Sequence, residues 1–171
     1  FAVPRGMLVG FVIAALATVL IALVNFRTAQ VRAHAVEAMD ETTATLRHLN
    51  LFLSSLKDAE TGQRGYLLTG DDTYLQPYNL SLSALERNMA RLKELTDDSA
   101  VQRRLVLQID DLRHEKLREL GETIELRRSK GQEAAVAVTR NDTGRVLMDR
   151  IRDLASDLST LLNQQLENDR K

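Results

Sequence analysis

Between Gly10 and Gly62 the chain contains neither glycine nor proline, so over about fifty consecutive residues nothing local interrupts a helical backbone. Within that stretch Ala35, Ala38, Thr42, Thr45, Leu49, Phe52, Leu56 and Ala59 alternate spacings of three and four, flanked by Met39, Leu46 and Leu53. This is the apolar seam of an amphipathic helix. Small residues at 35, 38, 42 and 45 permit close helix approach, and the larger Leu and Phe positions after them supply core volume. The first helix is therefore expected to run to about Leu68.

Ahead of the seam, Gly6 through Val24 carries no charge and is dominated by Leu, Val, Ala and Ile. At about 1.5 Å per residue it nearly spans a hydrocarbon core of about 30 Å. It reads as a transmembrane helix, residues 6–26. A cleaved signal peptide is the rival, because Ala33-His34-Ala35 has the small-x-small form of a cleavage site. That site lies beyond Arg27 and Arg32, and the apolar run exceeds the roughly 7–15 residues of a signal core. Arg5 is the one charge before the run, which makes the positive-inside argument for a cytoplasmic N-terminus weak.

Three glycines, at 62, 65 and 70, then break the pattern, and Asp71 and Asp72 stand where a cap for the next helix is wanted. The hairpin tip is expected here. A second stripe follows through Tyr78, Leu82, Leu85, Met89, Leu92 and Leu95, with Pro77 near its start, so 72–76 is expected to form a separate turn. After the polar break Thr96-Asp97-Asp98-Ser99 comes a third, less regular stripe through Val101, Leu105, Ile109, Leu112, Leu117, Leu120 and Ile124. Gly131 ends it, behind the basic cluster Arg127-Arg128-Ser129-Lys130 that suits a helix C-terminus. The fourth stripe runs Ala134, Val138, Leu147, Ile151, Leu154, Leu158 and Leu161, with Gly144 inside it. A mid-helix glycine costs about 1 kcal/mol relative to alanine. Gly144 is accordingly read as a close helix crossing or a kink. A tolerated surface glycine is the alternative.

Four apolar-striped helices with short connections predict an all-α fold, an up-down-up-down antiparallel four-helix bundle over residues 27–168 whose first helix is continuous with the transmembrane helix. An even helix count returns the chain toward the membrane by Lys171, so a fragment followed by a second span is expected.

The run Asp58-Ala59-Glu60-Thr61-Gly62-Gln63-Arg64-Gly65-Tyr66-Leu67-Leu68-Thr69-Gly70-Asp71, followed by Tyr74-Leu75-Gln76-Pro77-Tyr78, resembles the signature of the CHASE-type extracellular sensory domains, specifically the third subtype. The later run Gly144-Arg145-Val146-Leu147-Met148-Asp149-Arg150-Ile151-Arg152 resembles the same family's final-helix pattern, and the likeness covers most of residues 26–168. The resemblance implies an all-helical module between two membrane spans, ahead of a histidine kinase, a chemoreceptor or a nucleotide cyclase. It implies a homodimer through helices 1 and 4, which the small-residue seam also suits, and it brings no family-wide ligand.

Asp58, Glu60, Thr61, Arg64 and Tyr66, with Gly65 and Gly70 setting the backbone, form the expected distal polar cluster, structural or sensory in role. Glu60 and Arg64 stand four apart, the orientation that favours an ion pair on a helix, and Arg64→Ala is expected to lower bundle stability.

Of other chemistry the chain shows little. There is no cysteine, hence no disulfide or thiolate-held zinc. With 23 basic against 24 acidic residues and a pI of about 6.4, no basic face points to nucleic acid. His114-Glu115-Lys116-Leu117-Arg118 superficially resembles a kinase phosphoacceptor box, but no proline or nucleotide-binding glycine loop follows. His34 and His48 are separated by about 21 Å of helical rise and cannot share a metal within one chain. The paired carboxylates Asp71-Asp72, Asp97-Asp98 and Asp110-Asp111 point apart on a helix or serve as caps. No catalytic residue, metal ligand or cofactor is expected. The expected function is an extracytoplasmic sensor and relay at the inner (plasma) membrane, in a sensor histidine kinase, answering an unknown extracellular signal. The alternatives are a chemotaxis receptor, a nucleotide cyclase, or a membrane-anchored helical adaptor.

Overall fold

The computed structural model describes residues 5–139 and 142–169, and among these all regular structure is helical. Helix α1 spans Arg5–Thr69 and is followed by a 3-10 helix, Asp72–Leu75; α2 spans Gln76–Leu95, α3 Ala100–Lys130, α4 Gln132–Thr139 and α5 Thr143–Asp169. The chain divides into two compact units, Phe1–Asp40 and Glu41–Lys171. In the first unit Leu16, Val19, Leu20, Ile21, Leu23, Val24 and Phe26 are all exposed. Among the described residues no helix is long and apolar enough to cross a membrane. The expected span 6–26 falls in large part on residues 7–15 and 17, whose side chains lie outside the described ones.

In the second unit the helix ends follow from local chemistry. α1 stops where Gly70 takes φ +73°, a conformation L side chains avoid, and the Gly70 N–H donates to Tyr66 O at 2.8 Å. Asp71 caps the 3-10 helix by accepting from the Thr73 N–H at 2.9 Å, and that bond holds its carboxyl below the usual carboxylate range. Pro77 sits in the first turn of α2, where its missing N–H costs nothing. Ser99 caps α3, and α3 ends at Gly131.

Two expectations are corrected. Gly62 and Gly65 do not break α1; they lie within it. A Cβ on Gly62 would stand 2.9 Å from Tyr78 N and 3.0 Å from Tyr74 O, and one on Gly65 would stand 2.5 Å from Tyr74 Cδ1. These glycines let the returning chain press against α1, and Gly70 alone terminates it. The fourth stripe, expected as one helix, is divided into α4 and α5. Asp142 adopts φ 59°, its carbonyl accepts from the Val146 N–H at 2.9 Å, and α5 restarts there. Gly144 is therefore in the first turn of α5 rather than inside a longer helix. Leu82, Val101 and Val138, placed on the sequence stripes, are exposed.

Four helices share the main core: Leu49, Phe52 and Leu56 of α1, Leu85, Met89 and Leu92 of α2, Val106, Ile109 and Leu112 of α3, and Leu147 through Leu162 of α5. A second apolar cluster, Tyr66, Leu67, Leu75, Ile124 and Ala135, lies around the two turns. Contacts between helices set the register. His48 meets Asn88 and Gly62 meets Tyr78, and Lys93 meets Asp110 and Glu86 meets Arg113, so α2 runs opposite to both α1 and α3; Lys116 meets Gly144 and Gln102 meets Gln165, so α5 runs opposite to α3. Gln63 meets Thr123 and Leu67 meets Arg127, so α1 and α3 run the same way.

Candidate functional site

The polar cluster expected near the first turn is only partly brought together. Glu60 is nearly covered and pairs with Arg64 at 2.9 Å, but Arg64 itself is exposed. Asp58 and Thr61 lie exposed, the Thr61 hydroxyl donating to its own helix at Lys57 O. Tyr66 is buried, with the Arg128 guanidinium 5.7 Å from its ring centroid. Arg128 also meets Asp72 and Glu125 at 3.1 Å each, and Arg127 Nε donates to Leu67 O at 3.1 Å across Gly70. The basic end of α3 thus ties the two turns together. Gly65 faces Tyr74, while Gly144 stands apart from this group, against α3.

The inward-facing polar groups that the sequence reading passed over are on α3. Lys116 is fully buried; its Nζ donates to Glu119 Oε2 at 2.9 Å and to Gly144 O at 3.2 Å, and lies 3.6 Å from Glu60 Oε1. A Cβ on Gly144 would sit 2.9 Å from both Lys116 Nζ and Glu119 Oε2, so any larger residue would have to displace the ends of these two side chains. Two turns further along α3, Gln63 Nε2 donates to Thr123 Oγ1 at 2.7 Å, both groups buried. One turn before, Asp110 receives Lys93 Nζ and Arg113 Nε at 2.6 and 2.7 Å, and Arg113 reaches Glu86 at 2.9 Å. Burial by itself raises the Asp110 carboxyl pKa, but the hydrogen bonds and charges of Lys93 and Arg113 outweigh it and hold the group below its ordinary value. Among the described residues no buried side-chain polar atom lacks a partner. The signal for this set was the irregular third stripe: Leu112 and Leu120 stand eight apart, and two helical steps of four between them pass through position 116, which is Lys.

The surface of this unit carries open clefts. One of about 340 Å³ between α3 and α5 is lined by Gln108, Asp111, Leu112, Glu115, Arg150, Asp153 and Leu154. Another of about 400 Å³ lies at the opposite end from the glycine turns, beside Glu41, Thr45, Asp98 and Gln165. Among the described residues no group of three or more His, Asp or Glu side chains is placed to hold a metal ion. His114 is exposed, its Nδ1 2.8 Å from Asp110 O. The geometry is that of helices pinned by buried ion pairs.

The CHASE3 domain family matches residues 35–171. The chain belongs to that family. CHASE3 domains are extracellular sensor domains of membrane receptors, and the sensor domain alone is not catalytic. The fold agrees with a solved structure, the crystal structure of the Rhodopseudomonas palustris histidine kinase HK9 sensor domain. The two superimpose with a TM-score of 0.67 at 24% identity, over 72% of this chain and 97% of that one. No curated protein matches the sequence.

Proposed function

We propose that this CHASE3 domain is the extracytoplasmic sensing and relay module of a membrane-bound histidine kinase in two-component signalling. The observation that carries the reading is the family match over 35–171 together with a fold shared with a histidine kinase's sensor domain. The uncharged run Gly6–Val24 supports a single anchoring span at 6–26 in the inner (plasma) membrane. The opposed registers of neighbouring helices support an up-down-up-down four-helix bundle, with α4 and α5 together serving as its fourth helix. Two such bundles pair through α1 and the fourth helix.

A helix moves as a stiff unit, so a stimulus that favours one packing of the bundle displaces α1 against the fourth helix by about 1–2 Å. The response to any ligand is limited by its differential affinity for the two packings. The test is the coding sequence beyond Lys171. A second apolar run of about 20 residues followed by a phosphoacceptor and ATP-binding module agrees with the proposal. A receptor or cyclase module there replaces the kinase assignment, and a stop codon soon after Lys171 overturns the relay.

A further inference from the structure

The interior of the bundle carries buried charge at two levels: the Asp110–Arg113 pair beside the main core, and a second level nearer the glycine turns. At the second level the fully buried residues of the main apolar cluster have reached Leu56 on α1 and Leu112 on α3, with Leu117 packed against them and Ala59 and Leu120 buried alongside; beyond it lies the smaller cluster of Tyr66, Leu67, Leu75, Ile124 and Ala135. Between the two sit Glu60, Gln63, Lys116, Glu119 and Thr123, joined by the Gly144 carbonyl. Lys116 is the centre of this layer. Its ammonium donates to one acceptor on each of two helices, Glu119 on α3 and Gly144 O on α5, and faces a counter-charge on a third, Glu60 of α1 at 3.6 Å.

We propose that Lys116 is a register lock: it fixes the height of α1 against α3 and α5 and confines α1 to displacements smaller than one helical turn. Apolar seams are permissive of sliding, because one Leu replaces another at the next turn. A buried ammonium is not. Moving α1 by one turn, about 5.4 Å, brings Leu56 or Arg64 opposite Lys116 in place of Glu60. The first leaves the charge without its α1 partner, and the second sets cation against cation. A single buried polar group is known to fix register in packed helices by the same logic. The contact with α1 is an ion pair at 3.6 Å rather than a hydrogen bond like those at 2.9 and 3.2 Å, so small shifts of α1 are tolerated while large ones are refused. The lock stands on the bundle alone. Its consequence for signalling, that α1 relays only sub-turn motion, rests on the sensor reading above.

The chain has no cysteine, so two introduced ones report unambiguously. Thr43→Cys on α1 and Glu122→Cys on α3 are both exposed, and the Gln63–Thr123 pairing sets them about nineteen residues apart in level, roughly 28 Å. Over such an offset a slide of α1 appears almost in full in the distance between two spin labels. Labelled 1–171 chain in detergent micelles, diluted with unlabelled chain so that only intrachain pairs are read, is expected to give one narrow distance. Lys116→Met is expected to add a second population displaced by about 4–5 Å, or to broaden the first by that amount. Lys116→Arg is expected to keep the single peak. A single unshifted peak in a helical Lys116→Met chain overturns the lock. Should that variant fail to fold, Glu60→Gln, which removes the α1 charge and retains an acceptor, gives the same decision: broadening supports the lock, and an unshifted peak refutes it. The readout involves no effector, so the sensor proposal can fail while the lock stands, and the reverse.

Discussion

Gly62→Ala and Gly121→Ala should change stability in opposite directions, although both replace a glycine inside a helix. The intrinsic gain is the same for each: alanine loses less backbone freedom on folding, worth about 0.5–1 kcal/mol. What differs is the space. At Gly121 a Cβ meets only the Tyr78 hydroxyl at 3.7 Å, an ordinary contact, so the full gain is expected. At Gly62 the nearest atoms are Tyr78 N at 2.9 Å and Tyr74 O at 3.0 Å. Both are backbone and cannot rotate away, so the 3-10 helix and the start of α2 must shift. Overpacking of this kind costs about 1–3 kcal/mol. The net expectation is a loss of about 0.5–2 kcal/mol for Gly62→Ala and a gain of about 0.5–1 kcal/mol for Gly121→Ala. For a chain of this size each kcal/mol moves the thermal midpoint by about 2–4 °C. Thermal unfolding followed by helical circular dichroism reads both. A Gly62→Ala chain as stable as its parent would refute the account of the α1–α2 turn, whatever Gly121→Ala does.

Other perturbations follow from burial and charge. Phe52→Ala opens the middle of the main core at a fully buried site and is expected to cost about 3–5 kcal/mol in denaturant unfolding. Arg64→Ala, expected from sequence to weaken the bundle, should change stability by less than about 0.5 kcal/mol, because the arginine end of the pair is open to solvent and Glu60 keeps Lys116 as a counter-charge; a larger loss measured in the same assay would show that the distal cluster is structurally essential. Asp110→Asn tests the buried ion pairs. The folded carboxyl titrates below its ordinary value near 3.8, so its stabilisation is complete above that value and fades as pH falls below it. The stability gap between parent and variant should therefore be constant at neutral pH and close progressively in acid below about pH 4. A gap that stays unchanged down to pH 2.5 would contradict that assignment.

The helices were legible because their causes are local. The seam from Thr42 to Ala59, Pro77 in the first turn of α2, the Ser99 cap and the stop at Gly131 each depend on residues within a few positions of one another. The errors arise where the cause is distant in sequence. Gly62 and Gly65 read as breakers because their real reason, the approach of Tyr74 and Tyr78, becomes visible only once the chain has turned back. The break at Asp142 was hidden by a stripe whose periodicity continues on either side of it. Lys116 illustrates the deeper limit. A lysine between two glutamates on an amphipathic helix looks like a solvated face, and its burial is decided by Glu60 on α1 and Gly144 on α5. The expected polar cluster shared this weakness, since Glu60 and Tyr66 turn inward while Asp58 and Thr61 remain outside.

The most direct test of a sensor displayed beyond the membrane is the side on which the bundle lies. Because residues 1–171 contain no cysteine, a single Ser54→Cys on the exposed face of α1 or a single Val3→Cys ahead of the apolar run can be labelled alone in cells that express these residues, with a membrane-impermeant maleimide. The account predicts that position 54 is labelled at once and position 3 only after the membrane is permeabilised, with the chain retained in the membrane fraction. Labelling of position 3 and protection of position 54 would contradict it, as would recovery of the whole chain in the soluble fraction.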